Sequence, residues 1–227
     1  MVDTETDRYG LRLFAISDSY VKEINTMSNS YSPEFGNTAA AKQQVDAALA
    51  KVPGRDIKVL AAMTLARIGE TARAKAIVEQ LEKTEATNTM LKLYWLPTIH
   101  AAIDLNTGNS SQALIDLEAT APYELGGPLP ISGLYPVYVR GQAYLAAHNG
   151  VAAAAEFQKI LDHRGIVQNL PLGALAHLQF GRAYALSGDA AKAKSAYQDF
   201  FNVWKDADPD PDIPILKEAK AEYAKLQ

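Results

Sequence analysis

The sequence contains no cysteine among its 227 residues, which excludes disulfide bonds, thiolate chemistry and cysteine-ligated zinc sites. It also lacks any run of lysine or arginine, and its formal net charge is −4, so it has no basic stripe with which to bind nucleic acid. The N-terminus contains one short apolar run, residues 11–16, which makes a poor signal peptide and is too short to span a bilayer. We therefore expect a cytoplasmic protein with no nucleic-acid partner and no membrane insertion by this chain.

Motifs that carry catalysis or metal binding are missing as well. No two histidines have the four-residue spacing and intervening glutamate of a zinc-binding helix, and no Gly-x-Ser-x-Gly nucleophile elbow occurs. The acidic stretch of residues 206–212 contains prolines and lacks the glycine and terminal glutamate of a calcium-binding loop. His148 and His163 fall at predicted helix ends, where imidazole commonly bonds to terminal carbonyls. We expect no enzymatic activity, no catalytic residue, no cofactor and no bound metal.

What the sequence does contain is abundant alanine arranged in a repeat. Alternating valine-rich runs are scarce, which favours helices over strands. In the stretch GRAYALSGDAAKAKSAY, residues 181–197, Gly188 precedes Ala193 by five residues, and the same offset recurs three more times. In one further place, Gly150 precedes an alanine by three residues. The alanines are 33, 39, 40 and 40 residues apart, a period that suits pairs of helices: Ala41, Ala74, Ala113, Ala153 and Ala193.

The positions around each alanine follow a common pattern of side-chain size. The residue four positions later is large and apolar in all five places, and the residue twelve positions earlier is small in four of them. Gly181 is one of these small residues, although glycine inside a helix costs roughly 1 kcal/mol relative to alanine. We interpret Gly181 and Ala193 as points where two helices cross closely. Gly188 is expected to end the first helix before Asp189 caps the second.

This pattern resembles the tetratricopeptide repeat (TPR), a pair of antiparallel helices with small residues where the helices cross. The resemblance implies an all-α fold, a right-handed α-solenoid of about five TPR-like helix pairs plus a C-terminal capping helix. The match is strongest over residues 135–204. Pro97 lies inside the predicted first helix of the third pair, so that helix either starts at the proline or kinks there.

The predicted domain organisation has two parts. Residues 1–35 are expected to be an irregular or atypical N-terminal segment, and residues 36–227 are expected to form the TPR-like solenoid domain. Within this domain, the proline- and glycine-rich loop of residues 121–136 is too long for a simple turn. Residues 214–227 have one apolar stripe and otherwise charged faces, as expected of a capping helix that shields a terminal repeat.

Several stretches are similar to a narrower family. WLPTIHAAI, APYELG, LYPVYVRGQAYLAA, EFQKILDHRGIV and GALAHLQFGRAYALSGDAAKAKSAYQDF resemble the C-terminal repeat region of acidobacterial-type serine/threonine protein kinases, over roughly residues 55–227. The kinase motifs themselves are missing, and the doubled Asp-Pro of ADPDPDIP departs from the family's usual sequence. The resemblance therefore implies the sensory or docking half of a bacterial signalling protein, and it transfers no catalytic residue.

The resemblance also implies a groove, because the second, fifth, ninth and twelfth positions of each first helix tend to line the concave face of such repeats. In this sequence these positions are mainly apolar and aromatic, which suits an apolar or helical peptide held by aromatic anchors. We predict that a protein or peptide partner binds there. The candidate groove residues are Trp95, Thr98, Tyr135, Tyr138, Gln142, Leu175, Leu178 and Arg182.

Three alternatives stay open on the sequence alone. The long loop or the capping helix could fill the groove and bury the same aromatic side chains. The loop of residues 121–136 could instead close over the groove and enclose a ligand, which would make the chain a small-molecule-sensing TPR domain. The chain could also self-associate through its N-terminal repeat, so that a monomer and a homodimer are both consistent with the sequence.

Overall fold

The computed structural model describes residues 33–51, 53–126, 134–167, 170–205 and 213–226, and every regular element within these ranges is helical. The all-α prediction is confirmed. A π-helical turn, Leu91–Trp95, leads into the fourth helix, and a 3-10 helix, Leu117–Tyr123, follows the fifth. The α-helices of the described ranges are α1 Thr38–Lys51, α2 Arg55–Arg67, α3 Thr71–Thr84, α4 Leu96–Asn106, α5 Ser110–Asp116, α6 Tyr135–Ala146, α7 Gly150–Asp162, α8 Arg164–Val167, α9 Leu172–Leu186, α10 Ala190–Trp204 and α11 Pro214–Ala224.

Helices that follow one another along the chain pack together in pairs. α2 pairs with α3, α4 with α5, α6 with α7, and α9 with α10. The first helices of these pairs also pack on one another in order, α2 on α4, α4 on α6 and α6 on α9, and α7 lies against α9 of the next pair. α1 packs on α2 as α7, the second helix of its pair, packs on α9, the first helix of the next pair. α1 therefore occupies the position of a second helix.

All five repeat alanines are completely buried. Two of the small residues twelve positions earlier are glycines, and neither site has room for a methyl group. A Cβ on Gly141 would lie 2.5 Å from the ring of Phe157, and a Cβ on Gly181 would lie 2.8 Å from the ring of Tyr197. Each of these rings belongs to the large residue four positions after the repeat alanine. The structure thus shows the close crossing predicted at Gly181, with the small and the large residue of one repeat in contact.

The turn before each second helix has the same backbone in all five places. Five residues before each repeat alanine, the backbone is left-handed, with φ between +56° and +82°. The fourth of these residues is histidine, whereas the others are glycine, which adopts positive φ at no steric cost. Gly150, which marked this repeat in the sequence, is instead the first residue of α7, where a Cβ would lie 2.4 Å from Ser187 Oγ. In chain order the left-handed residues are Gly36, Gly69, Gly108, His148 and Gly188.

Polar side chains cap the second helices directly after these turns. The Asp189 Oδ1 atom accepts a hydrogen bond from the Lys192 N–H at 3.1 Å, as predicted for the helix that follows Gly188. The Asn149 Oδ1 atom accepts an equivalent bond from the Ala152 N–H, also at 3.1 Å. Each bond satisfies one of the backbone donors that the first turn of a helix leaves unpaired.

The helix that contains Pro97 continues a helical backbone that is already present at residues 89–90. The π-helical turn Leu91–Trp95 comes directly before α4, and Pro97 lies in the first turn of α4. Proline donates no N–H and its ring clashes with a regular α-helical turn before it, so the wider π turn accommodates it. The sequence predicted that the helix either starts at Pro97 or kinks there. In the structure the regular α-helix starts at Leu96, directly before the proline, and it extends an earlier helical segment through the π-helical turn.

The connection predicted for residues 121–136 is partly helical at both ends. The 3-10 helix contains Pro122 and continues to Tyr123, while Tyr135 and Pro136 already belong to α6. Proline fits the first turn of a helix because its missing N–H would have no partner there. The described residues at both ends of the predicted loop thus include helical ones.

The C-terminal helix α11 forms where the capping helix was predicted and buries Ile215 and Ala219. The predictions for residues 1–32, residues 127–133 and the acidic stretch of residues 206–212 lie outside the described residues.

Replacing Gly141 by alanine is expected to destabilise the fold by about 1–3 kcal/mol, because the added methyl group would overlap the ring of Phe157. The double variant Gly141→Ala/Phe157→Leu should lose less stability than the two single variants together, since the smaller side chain relieves the overlap. Gly165→Ala is the matched control, because a Cβ there meets no atom within 4 Å. Urea unfolding followed by circular dichroism measures the effect, and equal losses for Gly141→Ala and Gly165→Ala would contradict the close crossing.

Replacing His148 by glycine is expected to stabilise the protein by about 0.5–1 kcal/mol, because the left-handed conformation strains a residue with a Cβ. Gly188→His, at the equivalent turn, should destabilise the protein. A Cβ at Gly188 would contact no other atom, but the left-handed backbone there would be strained by any side chain. Thermal unfolding of both variants measures the difference. The assignment of His148 to the glycine position fails if both variants are destabilised alike.

Candidate functional site

The eight predicted groove residues lie on the neighbouring first helices α4, α6 and α9 and on the π-helical turn before α4. These helices pack on one another in order, so the structure brings the predicted residues onto neighbouring elements. Gln142 and Arg182 are half-buried, and the other six are buried. The buried six are Trp95, Thr98, Tyr135, Tyr138, Leu175 and Leu178.

A short turn just before α1 supplies a carboxylate, that of Glu34, which bonds to the predicted groove residue Tyr135. In this turn, Pro33–Gly36, the Gly36 N–H donates to the Pro33 carbonyl at 3.1 Å. The Glu34 side chain is 3% exposed, and its two carboxylate oxygens accept hydrogen bonds from Arg67 Nε at 2.6 Å and Arg67 Nη2 at 2.9 Å. The Tyr135 hydroxyl donates a third bond to Glu34 Oε1 at 2.7 Å. A residue before the first described helix thus joins α2 to α6 through one buried carboxylate.

We call Arg67, Tyr135 and Tyr138 the Glu34 cradle, since all three act on this carboxylate. Burial alone would raise the pKa of Glu34, but the charge of Arg67 and the hydrogen bonds from Arg67 and the Tyr135 hydroxyl outweigh it and hold the pKa below its ordinary value. Burial, reinforced by the negative charge of Glu34, raises the pKa of Tyr135 and of Tyr138. Both hydroxyls therefore stay protonated and able to donate at any physiological pH. Tyr138 also accepts a hydrogen bond from Gln179 Nε2 at 3.1 Å.

The next residues of the turn contact the opposite end of the chain. The Phe35 ring packs edge-on against Trp204 of α10, with the ring centroids 5.2 Å apart. The Phe35 carbonyl accepts a hydrogen bond at 3.2 Å from the N–H of Ile215, in the first turn of α11. Gly36 lies directly against Pro214, since a Cβ on this glycine would be 2.9 Å from the proline Cβ. The turn therefore ties the start of α1 to the end of the helical array.

The C-terminal helix covers a second predicted groove residue. Arg182 of α9 binds Glu222 of α11 through two bonds, with Nε–Oε2 and Nη2–Oε1 distances that are both 2.9 Å. Glu218, one turn earlier on α11, lies 3.4 Å from the same guanidinium. The Tyr197 hydroxyl donates to Glu222 Oε2 at 2.8 Å. The C-terminal helix α11 thus contacts the predicted groove residue Arg182.

A third charged cluster anchors the long connection after α5. The Glu124 carboxylate is completely buried and binds Arg140 Nη1 of α6 at 2.6 Å and Lys159 Nζ of α7. The Thr120 hydroxyl donates to the same carboxylate at 3.0 Å. Burial would raise the pKa of Glu124, but the bonds from Arg140 and Lys159 lower it below its ordinary value. These contacts support a structural role, because they fix the connection to two helices.

Sequence reasoning missed Glu34 and Arg67 altogether. Glu34 is 33 residues from Arg67 and 101 residues from Tyr135 along the chain, and no motif spacing links them. Glu34 falls in the predicted irregular N-terminal segment, where an acidic residue is ordinarily solvated. A single acid gives no local signal that it is buried, so only the folded arrangement could reveal this contact.

Two buried side-chain atoms, Gln142 Oε1 and Trp204 Nε1, have no hydrogen-bond partner within the described part of the chain. In the same ranges, no group of three or more metal-ligating side chains comes together. None of the helices described there is both long and apolar enough to cross a membrane. The Nδ1 atom of His163 lies 2.7 Å from the Lys159 carbonyl, the helix-end contact expected for this histidine.

No family model, no curated protein and no solved structure matches the chain. The tetratricopeptide-repeat resemblance and the kinase-related resemblance therefore stay predictions from the sequence.

Replacing Glu34 by glutamine is expected to lower the free energy of unfolding at neutral pH by about 3 kcal/mol, since the buried Arg67 would lose its counter-charge. Because the pKa of Glu34 is lowered in the folded state, its contribution is complete above the ordinary value of 4.5 and is lost as the pH falls through the folded-state pKa. The stability difference between the two proteins should therefore shrink below about pH 4. Urea unfolding at several pH values measures it, and a difference that is constant down to acidic pH would contradict the charged contact.

Proposed function

We propose that this chain is a TPR-like right-handed solenoid that binds a protein or peptide partner along the face formed by its first helices. Three observations support this form of the fold. The five left-handed turns lie at one fixed offset from the repeat alanines. The close crossings of Gly141 and Gly181 also fall at one repeat position. Finally, each first helix packs on the next first helix, as in stacked repeats.

One observation carries the binding proposal: this face already holds polypeptide from outside the helix pairs in two places. Tyr135 bonds to the turn before α1, and Arg182 bonds to α11. Both are predicted groove residues, and both use side-chain donors aimed at carboxylates. Groups fixed on a rigid stack lose little conformational entropy on binding, so the same surface is suited to a segment supplied by a partner.

The charged groups of this face support an interaction role over an enzymatic one. The buried carboxylate of Glu34 and the half-buried guanidinium of Arg182 are each engaged by two or more hydrogen bonds. The pKa of Glu34 is lowered by its partners, so this carboxyl stays ionised at neutral pH and is not poised to act as a general acid. The proposed partner is a protein or peptide, and the proposal includes no enzymatic step.

A photo-crosslinking amino acid at Gln142 is expected to trap the partner in cells that naturally express the chain. This predicted groove residue is half-buried, and its buried Oε1 atom has no hydrogen-bond partner among the described residues, so an apolar replacement removes no bond of that atom. The same amino acid at Val151, which is 75% exposed on α7, is the control position. A discrete adduct from position 142 that is absent from position 151 supports binding at this face. Adducts from Val151 alone, or from neither position, would contradict it.

A further inference from the structure

The turn Pro33–Gly36 is held by contacts of the kind that bind a peptide ligand. Its side-chain carboxylate, aromatic ring and backbone carbonyl each meet a different group, and these groups come from α2, α6, α10 and α11. Contacts spread over four elements are typical of a segment that lies across a surface.

Resting on the interaction role proposed above, we propose that the Glu34 cradle together with Trp204 is a binding site for a partner segment that carries a glutamate followed directly by an aromatic residue. The turn Pro33–Gly36 is the occupant that the chain supplies for itself. A partner segment of this chemistry would replace the turn and reproduce its contacts.

The requirement for a carboxylate follows from the burial of the cradle. The Arg67 side chain is only 13% exposed, and both of its hydrogen-bonding nitrogens face the two oxygens of one carboxylate. A buried guanidinium that loses its counter-charge is strongly unfavourable, and a neutral amide offers a single acceptor oxygen in place of two charged ones. The site therefore discriminates in favour of an acidic side chain.

The preference for an aromatic neighbour follows from Trp204. Its ring presents an edge-to-face partner to Phe35, an arrangement that aromatic pairs prefer and that adds stability beyond the burial of area. The Trp204 Nε1 donor is buried without a hydrogen-bond partner among the described residues, so an incoming segment with an acceptor at this position gains a bond that Phe35 does not make. The Ile215 N–H supplies a further donor for the backbone carbonyl of that aromatic residue.

The turn also limits access to the site. Only one residue, Asn37, separates the turn from α1. When the turn leaves the cradle, it therefore remains tethered close to it. A tethered segment of this kind competes at an effective concentration on the order of millimolar. A partner must therefore outcompete the turn, and emptying the site by mutation should expose its intrinsic affinity.

The test uses the full chain with Glu34→Ala and Phe35→Ala, titrated with a fluorescent, end-blocked peptide of sequence SPEFGN in an anisotropy assay. The peptide should bind this variant about tenfold or more tightly than it binds the wild type, because the tethered competitor is lost. The comparison peptide SPQFGN should bind the variant about tenfold more weakly than SPEFGN. Adding Arg67→Met should remove this preference. Adding Arg73→Met should leave it intact, since Arg73 binds Asp46 on the exposed surface.

Equal affinity of the variant for SPEFGN and SPQFGN would overturn the proposal, and so would equal affinity of the variant and the wild type for SPEFGN. Peptide binding without any crosslinked adduct at Gln142 would preserve this site while contradicting the cellular interaction. A crosslinked adduct at Gln142 without peptide binding would preserve the cellular interaction and reject this site.

A second measurement covers the case in which the double variant does not fold. In Glu34→Ala, the alanine methyl group and an acetate ion together replace the atoms of the glutamate side chain. Acetate should raise the melting temperature of this variant more than that of the wild type at matched ionic strength, whereas acetamide should not. An equal effect of acetate on both proteins would show that the cradle binds no free carboxylate, which would also overturn the proposal.

Discussion

The close approach of paired helices is the constraint on which the rest of this structure depends. At Gly141 and Gly181 a single methyl group would collide with an aromatic ring, so the distance between the two helices is set by the missing side chain. The ring that fills this space lies four residues beyond a fully buried alanine. The helix propensity lost at glycine is offset by the dispersion contacts and apolar burial that the short distance allows.

This packing determines where the polar side chains of the first helices can act. The first helices α2, α4, α6 and α9 pack on one another in order, which brings side chains of different repeats onto one face. Arg67 of α2 and Tyr135 of α6 therefore both reach the carboxylate of Glu34, although they belong to separate repeats. The bonds are made in a buried site, where an arginine without a counter-charge would be costly. The Glu34 contact is therefore a strong constraint on how the start of α1 lies against α6.

The two ends of the helical array are held by contacts of unequal strength. Arg182 and Glu222 form a two-bond pair, but Glu222 is about one-third exposed, with a side-chain exposure of 34%, so solvent screens the interaction. Glu34, at 3% side-chain exposure, is shielded from such screening. The turn Pro33–Gly36, which contains Glu34, also contacts Trp204 and accepts a hydrogen bond from the Ile215 N–H. These contacts link the C-terminal helix α11 to the buried Glu34 contact. Loss of the turn should consequently loosen α11 as well.

The sequence by itself determined the local features of this protein, because their signals lie within a few tens of residues. The helix content, the turn at Gly188, the Asp189 cap and the close crossing at Gly181 all follow from residue types and spacings within the repeat. His148 shows the limit of that method, since a histidine occupies the turn position that glycine occupies in the other repeats, while the nearby Gly150 is the first residue of α7. Only the tertiary structure decided which residues meet on the face of the first helices. The Glu34 contact joins residues 33 and 101 positions apart, and no periodic pattern encodes the burial of one acid at such a distance.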